Sequence, residues 1–232
     1  MKKRILTVLA AAALTAATLV SCGKQNNTIT VVSREDGSGT RGAFTELMGI
    51  DKDGTDMTYA KAEISNSTSV VISTVAGNKN AIGYISLGSL NDSVKAVKVD
   101  NVEATVDNVK NGSYKISRPF IIATKDEISD LAADFIKFIL SDDGQAIVSE
   151  KYITIGGNGA YTASGLSGKV TLAGSTSVSP LMDELAAAYK ALNPDVTIEI
   201  QQSGSGAGIQ SAIEGVCDIG MSSRELKDSE KE

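Results

Sequence analysis

Three times along this chain a run of β-branched and apolar residues ends in a loop of glycine, serine and threonine and passes into a helical pattern. The first unit is Thr28 to Ser33, then Asp36-Gly37-Ser38-Gly39, then Thr40 to Met48 with Ala43, Phe44 and Leu47 on one side. The second is Lys169 to Ala173, Gly174-Ser175-Thr176-Ser177 and Ser179 to Leu192, where Leu181, Met182, Leu185, Tyr189 and Leu192 share a face. The third is Val196 to Gln202, Ser203 to Gly208 and Ile209 to Glu214, followed by a strand at Asp218 to Met221. Alternation of this kind predicts an α/β chain of βαβ units, because parallel neighbours need a long crossover between them. It also gathers the loops at the carboxyl ends of the strands, where such sheets hold ligands.

The remaining segments read less uniformly. Ser67 to Ala76 is a helix, Ala81 to Ile85 and Arg118 to Thr124 are strands, and Glu127 to Leu140 is an amphipathic helix with Leu131, Phe135, Phe138 and Ile139 inward. Ser141 with Asp142 and Asp143 caps the next helix. Between Asn91 and Gly112 the valines alternate with polar residues, which predicts a solvent-facing strand or hairpin. Glycine and serine crowd residues 156–168, so that stretch reads as a linker between a part at 28–155 and a part at 169–232.

The chemistry lies in the loops. Each of the three sets hydroxyl groups and unhindered backbone N–H groups at a helix amino terminus, whose dipole adds about half a positive charge. One such loop is an ordinary helix cap; three together, one of them with Arg34, form an anion site. It is not a nucleotide site of a known pattern, since Gly204-Ser205-Gly206 leads to Ile209 where a third glycine is needed, and no P-loop lysine follows any glycine run. Histidine is absent, which removes the usual general base and the commonest zinc ligand. Beyond the amino-terminal segment there is no Ser-x-x-Lys and no Gly-x-Ser-x-Gly. No catalytic residue, metal or cofactor is therefore expected. A net charge of −6, no tryptophan and only 6 Tyr and 4 Phe also argue against a nucleic-acid partner.

The two cysteines have separate settings. Met1-Lys2-Lys3-Arg4 and the uncharged run Ile5 to Val20 form a signal peptide over residues 1–21, too short for the ~20 apolar residues of a membrane span. It ends at Leu19-Val20-Ser21-Cys22, which resembles a bacterial lipobox. That resemblance implies a lipidated Cys22, a tether at 22–27 and attachment to the cell membrane. Cys217 reads as a small buried residue on a strand.

Four stretches carry a wider resemblance: Ser33-Arg34-Glu35-Asp36-Gly37-Ser38-Gly39-Thr40-Arg41, Ala81-Ile82-Gly83-Tyr84, Ser117-Arg118-Pro119-Phe120, and Ala173-Gly174-Ser175-Thr176 through Met221-Ser222-Ser223-Arg224. They closely resemble the phosphate-binding lipoproteins of bacterial high-affinity phosphate ABC transporters, over nearly the whole mature chain. The resemblance implies a two-lobed periplasmic-binding-protein-like (type II) fold that closes on one inorganic phosphate, with the permease and ATPase subunits as partners on the extracytoplasmic face. Carried over by position, Arg34 clamps phosphate oxygens and Asp36 holds its guanidinium. Ser38 and Thr40 give hydroxyls and Gly39 a backbone N–H; Thr176, Ser177 and Ser205 serve from the other lobe. Ser223, followed by Arg224, stands where some relatives have an aspartate that accepts the phosphate proton.

The order of the segments departs from the family pattern, in which the Thr176 loop precedes the arginine motif. The segment joining Ser223-Arg224-Glu225-Leu226 to that motif is missing, so a permuted or incomplete fold with uncovered apolar sheet surface is expected. A second reading is a binding-deficient interaction lipoprotein of the same fold.

Overall fold

In the computed structural model, which describes residues 28–52 and 55–231, the first lobe contains β1 (Thr30–Arg34), α1 (Gly39–Leu47), β2 (Asp51–Lys52), β3 (Thr55–Asp56), β4 (Glu63–Ser65), α2 (Thr68–Gly77) and β5 (Ala81–Gly83). The β-branched β1 lies between β4 and β5 and is parallel to both, as helical crossovers require. Ser33 pairs with Ile64 and Val31 with Ile82, which puts these four on one face. The other face carries Val32 under Val71 of α2, and both are fully buried. Ile64 and Ile82 remain 55% and 48% exposed, so this face is open over the two flanking strands, while Ser33 between them is buried.

Residues 84–120, which include α3 (Val106–Lys110), lead into the second lobe. That lobe holds β6 (Ile121–Ala123), α4 (Asp130–Ile139), α5 (Asp142–Ser149), β7 (Gly168–Gly174), α6 (Ser179–Leu192), β8 (Val196–Gln202), α7 (Ser205–Glu214) and β9 (Ile219–Ser222). Its sheet runs β6-β9-β7-β8, parallel except for β6 against β9. Leu131, Phe135 and Phe138 of α4 pack with Leu181, Met182, Leu185 and Tyr189 of α6 over Val170 and Leu172. The Phe135 and Tyr189 rings lie 5.0 Å apart with no exposure, so Phe135→Ala costs about 3–5 kcal/mol. Ile209 and Ala212 of α7 cover the opposite face above Gly220.

Three expectations are corrected here. The alternating valines make no regular strand, and the hairpin is reduced to its turn: Val99 and Val102 exchange backbone hydrogen bonds around Asp100 and Asn101, both at positive φ, and the Thr105 hydroxyl then caps α3. Residues 156–168 do not separate the lobes, because β6, α4 and α5 join the same sheet and core as β7 to β9. That stretch is instead tied down. Asn158 N–H donates to Leu140 O, and Asp142 N–H to Gly159 O, both at 2.9 Å. The Tyr161 and Tyr189 phenols and the Ser164 hydroxyl all donate to Asp134 Oδ2. Third, Cys217 is buried as expected but sits in the bend before β9, while Leu192 overhangs its helix end at 49% exposure. Cys22 lies outside the described residues.

Candidate functional site

Parallel strands aim their carboxyl ends the same way, and here the ends of β1, β4, β7, β8 and β9 face one another across the lobes. Each of the first four opens into a helix. Ser38 Oγ accepts from Arg41 N–H to cap α1, and Ser67 Oγ accepts from Val70 N–H to cap α2. α6 begins at Ser179-Pro180, with proline where a missing N–H does no harm. Gly174, at φ +143° and with its Cα side against the Met221 backbone, admits no side chain at the turn before it. The first N–H groups of such helices have no partner inside the helix.

Arg34 ends β1 and is 1% exposed. A buried guanidinium is costly unless its donors are paired. Nε–H donates to Glu35 Oε2 at 3.0 Å and to Ser65 O at 3.1 Å, and Nη2–H donates to Glu35 Oε1 at 3.1 Å. The far side of the fork meets hydroxyls: Nη1 donates to Thr68 Oγ1 at 3.3 Å, and Nη2 to Thr176 Oγ1 at 2.7 Å. Tyr84 supports the strand behind it, its hydroxyl lying 2.7 Å from Ser33 Oγ and accepting from Arg34 N–H. Its ring stacks on Phe44 of α1 at 4.1 Å.

Beside the arginine lies a cluster of small hydroxyls from both lobes. Thr40 Oγ1 is 2.7 Å from Ser177 Oγ and 3.4 Å from Ser223 Oγ. Ser175 donates to Ser223 Oγ at 2.9 Å, and Ser223 N–H donates to Ser205 Oγ at 3.2 Å. Gly206 N–H at the start of α7 donates to Gly37 O at 3.0 Å, from one lobe to the other. Gly39 is the point of closest approach. A Cβ there would run into Ser205 Oγ and lie 2.7 Å from Ser223 Oγ, so only glycine fits.

The structure thus brings Arg34, Gly39, Thr40, Thr176, Ser177, Ser205 and Ser223 together. Ser38 is buried alongside, its oxygen occupied as the α1 cap. Asp36 is the correction: its carboxylate, 96% exposed, pairs with Arg41 Nη1 at 2.7 Å, and Glu35 holds Arg34. The turn through Gly37 at φ +80° directs Asp36 outward, while the longer Glu35 chain reaches back along β1. Sequence reasoning also missed Thr68 and Ser175. Ser175 sits inside a loop already singled out, whereas Ser67-Thr68 reads only as a helix start. Arg224 turns from the cluster to Glu230, with both guanidinium nitrogens 2.7 Å from its carboxylate oxygens. That bond holds the Glu230 carboxyl below its usual range. Among the described residues no group of acidic, cysteine or histidine side chains could hold a metal. What the cluster offers is one paired cation and many adjustable donors, a set that suits a small oxyanion.

A family model described as a PBP superfamily domain matches residues 9–143 and 159–232. Phosphate-binding protein PstS 2 of Streptococcus agalactiae is 52% identical over 217 residues, covering 90% of this chain and 74% of that protein. Its counterpart in Streptococcus pneumoniae is 50% identical over 244 residues, covering 99% of this chain and 84% of that protein. The crystal structure of a phosphate-binding protein of a phosphate ABC transporter from Streptococcus pneumoniae superposes with a TM-score of 0.68 at 53% identity, over 88% of this chain and 81% of that one. A Clostridium perfringens structure with bound phosphate, described as a phosphate ABC transporter substrate-binding protein, gives 0.50 at 48% identity, over 54% of this chain and 51% of that one. A match running through 99% of the chain means that the pneumococcal relative has its segments in the same order. The order is therefore a shared arrangement and not a peculiarity of this chain.

Proposed function

The chain belongs to the PBP superfamily and, within it, to the phosphate-binding proteins PstS, and from that premise we propose that it is the solute-binding protein that captures inorganic phosphate for an ABC importer. No bond is made or broken. One observation carries the site: a fully buried arginine whose fork turns toward threonine hydroxyls of both lobes.

Arg34 gives the charge. Hydrogen bonds that involve a charge are about twice as strong as neutral ones, and burial away from water strengthens them further. Thr40, Thr176, Ser177, Ser205 and Ser223 give hydroxyls, and Ser38 keeps its hydroxyl hydrogen free of the cap. The first N–H groups of α1, including that of Gly39, point the same way. Ser and Thr rotate to donate or accept, so they also suit a ligand that retains a proton. Asp36 has no part in this arrangement.

Attachment is through Cys22, supported by the lipobox that precedes it. Among the described residues no helix is long and apolar enough to cross a membrane. The permease and ATPase subunits follow as partners from the receptor role. Titration calorimetry with inorganic phosphate, sulfate and a phosphate monoester tests the reading. Heat with phosphate and no hydrolysis of the monoester is the expected result; turnover of the monoester would refute it.

A further inference from the structure

Thr68 occupies the first position of α2 and is 7% exposed. Its hydroxyl has no duty in the helix, because Ser67 Oγ is the cap. It faces the cleft. Thr68 Oγ1 accepts from Arg34 Nη1 and lies 3.3 Å from Thr176 Oγ1, which accepts from Arg34 Nη2. The two terminal nitrogens of one planar fork therefore each hold a threonine hydroxyl, one from either lobe, and the two hydroxyls touch.

A count of protons gives the consequence. Both hydroxyls already accept a guanidinium hydrogen, and each has one hydrogen of its own. Only one of these can lie in the Thr68–Thr176 contact. The other must point elsewhere, and a hydroxyl that accepts from a cation is a stronger donor, because hydrogen bonds along a chain polarise one another.

We infer that Thr68 is a positioning residue of the anion site, acting through Arg34. It fixes the plane of the guanidinium from the side opposite Glu35 and Ser65, and with Thr176 it relays the charge as a directed hydroxyl hydrogen. The site is thus built from four helix-opening loops, not three. The inference rests on the phosphate reading above.

The test compares the full chain with Thr68→Val, which keeps the shape and removes the hydroxyl, and with Thr68→Ser, which keeps the hydroxyl. Inorganic phosphate is titrated into each by calorimetry, and melting is recorded without phosphate. Thr68→Val should weaken phosphate binding about tenfold, the equivalent of one hydrogen bond to a charged group. Thr68→Ser should keep most of the affinity, with its phosphate-free melt at the parent value. Unchanged binding by Thr68→Val overturns the inference. So does an equal loss in both variants, since that makes Thr68 a packing residue. No heat from the unsubstituted chain is a separate result: it rejects the phosphate reading itself, and this inference falls with it.

Discussion

Arg34 and Thr176 are 142 positions apart in the chain, yet the guanidinium Nη2 donates to the threonine hydroxyl at 2.7 Å. The bond joins the two lobes through the only positive charge buried in the cleft among the described residues. The geometry of that charge accordingly depends on both lobes at once. A ligand that engages Arg34 has differential contact with the closed arrangement, which is what shifts such an equilibrium.

Glu35 is the counter-ion of Arg34, and Asp36 belongs to Arg41 at the surface. Breaking a buried ion pair by removing one partner costs up to about 3–5 kcal/mol, and Glu35 is partly exposed, so about 2 kcal/mol is expected for Glu35→Gln. Asp36→Asn should stay within about 0.5 kcal/mol, as surface changes do. Denaturant melts of the two variants measure this. Equal effects would mean that the two carboxylates share the guanidinium.

Gly39 brings α1 against Ser205 and Ser223 of the other lobe. Gly39→Ala should hold the lobes apart and weaken phosphate binding by at least about tenfold, the loss of one charge-assisted contact. Far-ultraviolet dichroism should be unchanged, because a helix interior favours alanine over glycine. Retained affinity would show that the lobes close without this contact.

Much of this was legible in the sequence. The regular alternation from Lys169 to Met221 declares its strands and helices, since apolar spacing and Gly-Ser punctuation agree there. The valines between Asn91 and Gly112 mislead because alternation does not reveal how far pairing extends: the left-handed Asp100 and Asn101 make a tight two-residue turn, but only Val99 and Val102 pair across it. The lobe division was hidden because the β6–β9 pairing joins residues about a hundred positions apart by backbone bonds that leave no periodic signal. In the site, Arg34 and the hydroxyls stand in marked loops. Glu35 and Asp36 are adjacent acids in one turn, and only the backbone direction tells which faces inward.

Burial works against the charge of Asp134, but hydrogen bonds from Tyr161, Tyr189 and Ser164 outweigh it and hold the carboxyl below its usual range. Burial first, and then Asp134, pushes the Tyr189 phenol well above its own. A lowered carboxyl contributes stability that is complete above the unfolded value near ~3.9 and is lost as pH falls through the folded value. Asp134→Asn should therefore cost about 1.5–3 kcal/mol at pH 7 and show a shallower loss of stability below about pH 4. Melts across that range decide it. An acid loss as steep as the parent's would place the responsible carboxyl elsewhere.

Cys22→Ser should release the protein from membranes, because stable attachment needs the acyl chains that this cysteine would carry. Fractionation after a salt wash reads the outcome. A substituted protein that still sediments with membranes would rule out Cys22 as the anchor.

The most direct measurement is a phosphate titration of the full chain beside its Arg34→Ala variant. The parent should bind one phosphate per chain, and the variant should lose at least about tenfold in affinity, given about 1.5–3 kcal/mol for each charged hydrogen bond. Binding by the parent that Arg34→Ala leaves unchanged would contradict the site described here, and a parent that binds no phosphate would contradict the function.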